Sequence, residues 1–158
     1  MKTLVIGLGN PILGDDGVGW KVAEKVSDQL SVTSDQSVVA ECASLGGLSL
    51  MERMVGYQRA ILVDSMETGQ SPEGSVSVFP LEALTNPSAS HSSAAHDTSL
   101  LTALEVGRKM KMQVPDAVTV VAIEAKNVYD FSEELSPAVA EAVPLAVQSV
   151  IQLLKEEP

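Results

Sequence analysis

Two adjacent carboxylates, Asp15 and Asp16, follow a short apolar run and a glycine-containing turn near the start of the chain. A third carboxylate, Asp64, closes the apolar run Ile61-Leu62-Val63. An imidazole, His96, stands between a Ser/Ala-rich stretch and a helical pattern. Carboxylate, carboxylate and imidazole are ligands for a divalent metal such as zinc or nickel, and three protein ligands leave positions open for water or a substrate group. An acidic pair also suits a cation better than a phosphate. Each residue has an ordinary structural reading as well. Asp15 or Asp16 can cap a helix and complement its dipole. Asp64 can be a strand-end turn residue, and His96-Asp97 a capping pair. The other histidine, His91, sits among Ser90, Ser92 and Ser93 and reads as solvated loop. No nucleophile stands out: Cys42 falls mid-strand in an apolar run, and no serine occupies a nucleophile-elbow motif.

The elements that must position these groups are legible from periodicity. Residues 3–8 read as a buried strand, and Val18 to Leu30 as a helix with Val18, Val22, Val26 and Leu30 on one face. A second strand is expected over 36–42, a short helix over 48–55 and a third strand over 59–63, ending at Asp64. A fourth strand is expected over 75–79, a long polar loop over 84–95, a helix over 96–112 and a last strand over 117–123. Ser136-Pro137 starts a final helix, with serine as N-cap and proline at the first helical position. Pro144 is expected to kink or divide it. Strands alternating with helices predict an α/β fold whose mostly parallel central sheet, of about five strands, is covered on both faces. Ligand crevices in such sheets lie at the carboxyl ends of the strands, where Asp16 and Asp64 are expected.

The 158 residues fit a single domain spanning 1–158. Hydrophobic residues make up 45% and aromatics 3%, so aliphatic side chains build the core. A net charge of −11 argues against nucleic acid, whose phosphates require basic surface, and favours a basic partner. Cys42, the lone cysteine, reads as a buried strand residue and cannot form an internal disulfide, which suits a reducing cytoplasm. The N-terminus enters a strand without a signal-peptide pattern, and no apolar run approaches a membrane span. A cytoplasmic protein without membrane insertion is expected. Monomer is the expected state, since the charge favours solubility over self-association.

Two look-alikes fail. Gly7-Leu8-Gly9 hints at a dinucleotide fingerprint, but Ile12 stands where a third glycine is needed, and the acidic pair would repel a pyrophosphate. No dinucleotide or other organic cofactor is expected. The stretch Val5 to Pro11 resembles the opening of bacterial peptidyl-tRNA hydrolases. Those continue with threonine-arginine-histidine-asparagine, where this chain has Asp15-Asp16-Gly17.

Nearly the whole chain resembles the [NiFe]-hydrogenase maturation endopeptidases. The resemblance is carried by Gly7-Leu8-Gly9-Asn10 with Asp15-Asp16-Gly17-Val18-Gly19, and by Gly56-Tyr57-Gln58-Arg59-Ala60-Ile61-Leu62-Val63-Asp64. Thr68-Gly69-Gln70-Ser71-Pro72-Glu73-Gly74, His96-Asp97 and Leu135-Ser136-Pro137-Ala138-Val139 complete it. Together these elements are highly specific. The resemblance implies a three-layer α/β/α sandwich and a cytosolic endopeptidase that removes a short C-terminal extension. Its partner would be the nickel-loaded precursor of a hydrogenase large subunit. It maps the metal-binding and catalytic groups onto Asp16, Asp64 and His96, with Asp15 and Asn10 as supporting groups beside them. Nickel would be presented by the substrate, with no tightly bound metal belonging to the chain. Hydrolysis through a metal-activated water and through a carboxylate base both remain open. The alternative is a chaperone that holds nickel or precursor without cleaving. Two departures, Cys42-Ala43-Ser44-Leu45-Gly46-Gly47 in place of an Asp-Gly-Gly-Thr segment and Ile123-Glu124-Ala125 in place of Ile-Glu-Pro, suggest a distinct subgroup and substrate preference.

Overall fold

A computed structural model describes residues 1–85 and 95–157, with side chains over 1–84 and 100–157. Most of the loop expected at 84–95, including His91, lies outside the described residues, as does the side chain of His96. The chain begins with β1 (Thr3–Leu8), a 3-10 turn (Gly14–Gly17), α1 (Val18–Thr33) and β2 (Val38–Ala43). It continues through α2 (Gly47–Met54), β3 (Arg59–Met66), β4 (Val76–Pro80) and a second 3-10 turn (Leu81–Thr85). It ends with α3 (Ala95–Lys109), β5 (Ala117–Glu124) and α4 (Pro137–Lys155).

The five strands form one sheet in the order β2-β1-β3-β5-β4. All neighbours run parallel except β4, which pairs antiparallel with β5 at the edge. Successive side chains of a strand point to opposite faces, and the core divides accordingly. Leu4, Ile6, Leu62 and Met66 pack with Leu50 and Met54 of α2 and Leu100 and Leu104 of α3. Val5, Ile61 and Val63 pack with Val18, Val22 and Val26 of α1 and Val139, Val143 and Val147 of α4. The result is the three-layer sandwich expected. β1 and β3 are buried along their whole length, which explains their unbroken apolar runs.

Several boundaries and environments differ from the sequence reading. β3 runs on to Met66, so Asp64 lies inside the strand, in register with Ala122 of β5, rather than after it. β2 is an edge strand, so Cys42 is half-buried instead of buried. Its thiol pKa is pushed up to about 11, first by burial and then by the Glu24 and Glu41 carboxylates. α4 is a single helix with Pro144 inside it, not two segments. This 19-residue helix is also long and apolar enough to cross a membrane by length and composition, contrary to the expectation that no segment is. Here it lies on the sheet beside α1, with Val139, Ala142, Val143, Ala146, Val147 and Val150 buried.

α1 lies backbone to backbone on the sheet because two glycines meet where it crosses. A Cβ on Gly7 would lie 2.1 Å from the Gly19 carbonyl oxygen and 2.8 Å from the Ala23 Cβ. A Cβ on Gly19 would lie 2.4 Å from the Val63 carbonyl oxygen and 2.5 Å from that of Leu8. Backbone cannot yield as a flexible side chain can, so Gly7→Ala must push α1 away from the sheet. Overpacking of this kind costs about 2–3 kcal/mol. Urea denaturation of Gly7→Ala should show a loss of that size, and an unchanged midpoint would remove the contact from this role.

Candidate active site

β1 is flanked by β2 and β3, and the chain leaves it for α1 on one face and returns through α2 on the other. A crevice opens at the carboxyl ends of strands at such a switch point. The structure has a cleft of about 410 Å³ there. Gly9, Asn10, Leu13 and Asp16 line it from the β1 side, Ser44, Leu45 and Gly46 from the end of β2, Ser65 from β3, and Val128 and Tyr129 from the segment after β5.

Asp16 is the only carboxylate among these lining residues. One of its oxygens, Oδ2, accepts the backbone N–H of Asn10 at 2.8 Å, and the other accepts the Ser65 hydroxyl at 3.2 Å. A carboxylate offers about four lone-pair directions, so both oxygens keep capacity toward the cleft after these bonds. The turn that aims it is tight. Gly9 has φ +125°, and a Cβ there would stand 1.9 Å from the Asp16 carbonyl oxygen. The Gly9 carbonyl in turn accepts the Ser44 hydroxyl at 2.6 Å, tying the β1 turn to the end of β2.

Asp64 is fully buried and does not line the cleft. Its Oδ1 accepts the Ser65 backbone N–H at 2.9 Å. Ser65 therefore joins the two carboxylates, through its amide to Asp64 and its hydroxyl to Asp16. By strand alternation Asp64 shares a face with Leu62 and Met66, the face that α3 covers. His96 is the second residue of that helix. Among the described residues no three of His, Cys, Asp and Glu gather at one point; the side chain of His96 is outside that set.

Asp15 turns away from the cleft. It is fully buried, and its two oxygens accept the backbone N–H and the hydroxyl of Ser136, each at 2.7 Å. Neither it nor Asp16 caps α1, whose N-cap residue is Gly17 with no side-chain bond. Ser136 does occupy the N-cap position of α4, but its hydroxyl is given to Asp15 rather than to its own helix. Asp15 thus places a negative charge at the positive end of α4 from 121 residues away.

Periodicity alone did not reveal Ser65, Ser44, Tyr129 or Glu124. The chain has only two tyrosines and two phenylalanines, and Tyr129 and Phe131 fall together in a polar stretch. That clustering was the available signal for the far wall of the cleft. Glu124, almost fully buried at the end of β5, accepts the Thr68 N–H at 2.9 Å, the Thr68 hydroxyl and the Gly69 N–H. The Thr68–Gly74 motif is therefore folded around a buried carboxylate beside the sheet.

Removing Asp15 leaves the Ser136 donors without their partner at a half-buried position. Hydrogen bonds to a charged group contribute about 1.5–3 kcal/mol each, so Asp15→Ala should lower stability by about 3 kcal/mol or more and Ser136→Ala by less. Equilibrium denaturation reads both, and an Asp15→Ala protein as stable as the parent would show that the contact is not an anchor.

A family model described as HycI, hydrogenase maturation protease, matches residues 20–153. The match takes in Asp64 and His96 and begins after Asp16. The hydrogenase expression/formation protein HupD of Rhizobium leguminosarum bv. viciae is 20% identical over 154 residues, which are 98% of this chain and 74% of that protein. Among solved structures, the hydrogenase maturating endopeptidase HybD from E. coli is similar with a TM-score of 0.76 at 21% identity, over 98% of this chain and 93% of that one. The [NiFe] hydrogenase maturation protease HybD from Thermococcus kodakarensis gives 0.74 at 22% identity, over 98% and 100%. At these identities the structural likeness establishes the α/β fold.

Proposed function

Since this chain belongs to the hydrogenase maturation protease family and is a peptidase, we propose that it removes the C-terminal extension from the nickel-loaded precursor of a [NiFe]-hydrogenase large subunit. The observation that carries this reading is the Asp16 carboxylate, oriented by two hydrogen bonds and open to a cleft at the carboxyl end of the sheet. In this reading Asp16 engages the nickel that the precursor carries, and Asp64 and His96 supply the further donors, Asp64, fully buried in the free chain, becoming accessible as the precursor seats. Oxygen and imidazole donors suit nickel, and their incomplete set leaves room for the ligands of the precursor itself. Asn10 supports Asp16 through its backbone amide, and Asp15 supports the turn by holding it to α4. The extension then lies along the cleft with its scissile bond near Asp16. Water attacks that bond, with a carboxylate base or the substrate's metal as the activating group. The raised pKa of Cys42 keeps its thiol protonated at neutral pH, which argues against a thiolate nucleophile. The reading extends to a monomer working in the cytoplasm.

Purified nickel-loaded precursor should lose its extension on incubation with the chain, seen by mass spectrometry as a single shortened product. Asp16→Ala, Asp64→Asn and His96→Ala should each slow this by about 100-fold or more, as expected when a group acting in the transition state is removed. Asp64→Asn is preferred to alanine because the site is buried. Undiminished processing by all three overturns the assignment, and binding without shortening identifies a holding chaperone instead.

Two carboxylates and one imidazole form a weak isolated site beside the thiolate-rich or all-histidine sets that retain zinc. The purified chain should therefore contain well under one equivalent of metal by elemental analysis. Stoichiometric zinc that survives dialysis would favour an ordinary metallopeptidase.

A further inference from the structure

The segment after β5 departs from the aliphatic character of the rest of the chain. Phe131 is 86% exposed and Tyr129 73% exposed, beside Ile12 at 47%. The backbone on either side of them is hydrogen-bonded to the turn before α1. Asn127 accepts the Asp15 N–H at 2.8 Å, and Ser132 accepts the Gly14 N–H at 2.8 Å while giving its own N–H to Ile12 at 3.0 Å. Val128, between them in sequence, is buried in the core and also lines the cleft. The two rings are thus held out on a loop that is hydrogen-bonded at both ends to the turn before α1 and is continuous with the cleft wall at Tyr129. Rigid, exposed aromatic side chains lose little conformational freedom on binding and are enriched at the energetic centres of interfaces. Asp130, Glu133 and Glu134 are exposed on the same loop, so its polar frame is acidic.

Resting on the function proposed above, we propose that the 129–134 loop is the docking surface for the folded body of the precursor. It receives an apolar patch flanked by lysine or arginine side chains while the extension enters the cleft alongside. The acidic frame supplies the charge complementarity and opposes a second copy of this chain, whose own carboxylates would face it. Continuity with the cleft means that docking here sets the distance from the precursor body to Asp16. A loose C-terminal tail lacking that body would not be held.

The test is steady-state processing of the nickel-loaded precursor. Phe131→Ala should raise KM by about 10-fold with kcat nearly unchanged, the pattern of lost uniform binding, while Phe131→Tyr keeps the parental value. The thermal midpoint of Phe131→Ala should match the parent, since the ring is solvent-exposed. Glu133→Gln/Glu134→Gln should weaken the dependence of kcat/KM on sodium chloride. An unchanged KM in Phe131→Ala overturns the proposal, and so does a concentration-dependent dimer of the parent that Phe131→Ala dissolves. If the parent shortens no precursor at all, the function itself is wrong, an outcome separate from an inert Phe131.

Discussion

The arrangement depends on backbone lying against backbone where α1 crosses the sheet. Gly7 and Gly19 leave no side chain between the helix and the ends of β1 and β3. The 3-10 turn that precedes α1 is therefore drawn down to the strand ends, and Asp16 comes within hydrogen-bonding distance of Ser65. A helix resting on ordinary side chains would stand farther from the sheet, and a short aspartate would not span the gap. The glycines of the opening motif therefore act first on helix–strand distance and only through it on chemistry.

From that contact the site is assembled by three short links. Ser65 joins the carboxylates of adjacent elements, Ser44 ties the β1 turn to the end of β2, and Ser136 fixes Asp15. Each link uses a small hydroxyl whose donor goes to a carbonyl or a carboxylate. The two neighbouring aspartates are separated by this division of labour. Asp15 is consumed in holding the last helix, which leaves Asp16 oriented but not saturated.

Much of the fold was legible because β1, β3 and β5 are buried strands and the helices show one apolar face. The strand order and the antiparallel edge strand β4 were not, because pairing is a property of distant segments. The end of β3 was misread since a carboxylate looks like a turn signal, whereas the strand carries Asp64 inward in register with Ala122. The division of the acidic pair was suspected from the sequence, but the partner of Asp15 lies 121 residues on and carries no local mark. The Thr68–Gly74 stretch was recognisable as a motif without its reason, which is the buried Glu124 that it wraps.

The bond between Asp15 and Ser136 also imposes a timetable. The ribosome delivers β1, α1, β2 and β3 well before residue 136, although a single domain folds as a unit. The turn that bears Asp16 nevertheless stays unfinished until residue 136 has been made, because its neighbour Asp15 has no donors before then. A nascent chain carries Asp16 and Asp64 long before it carries a working cleft, because the far wall at Val128 and Tyr129 and the anchor at Ser136 are all made late.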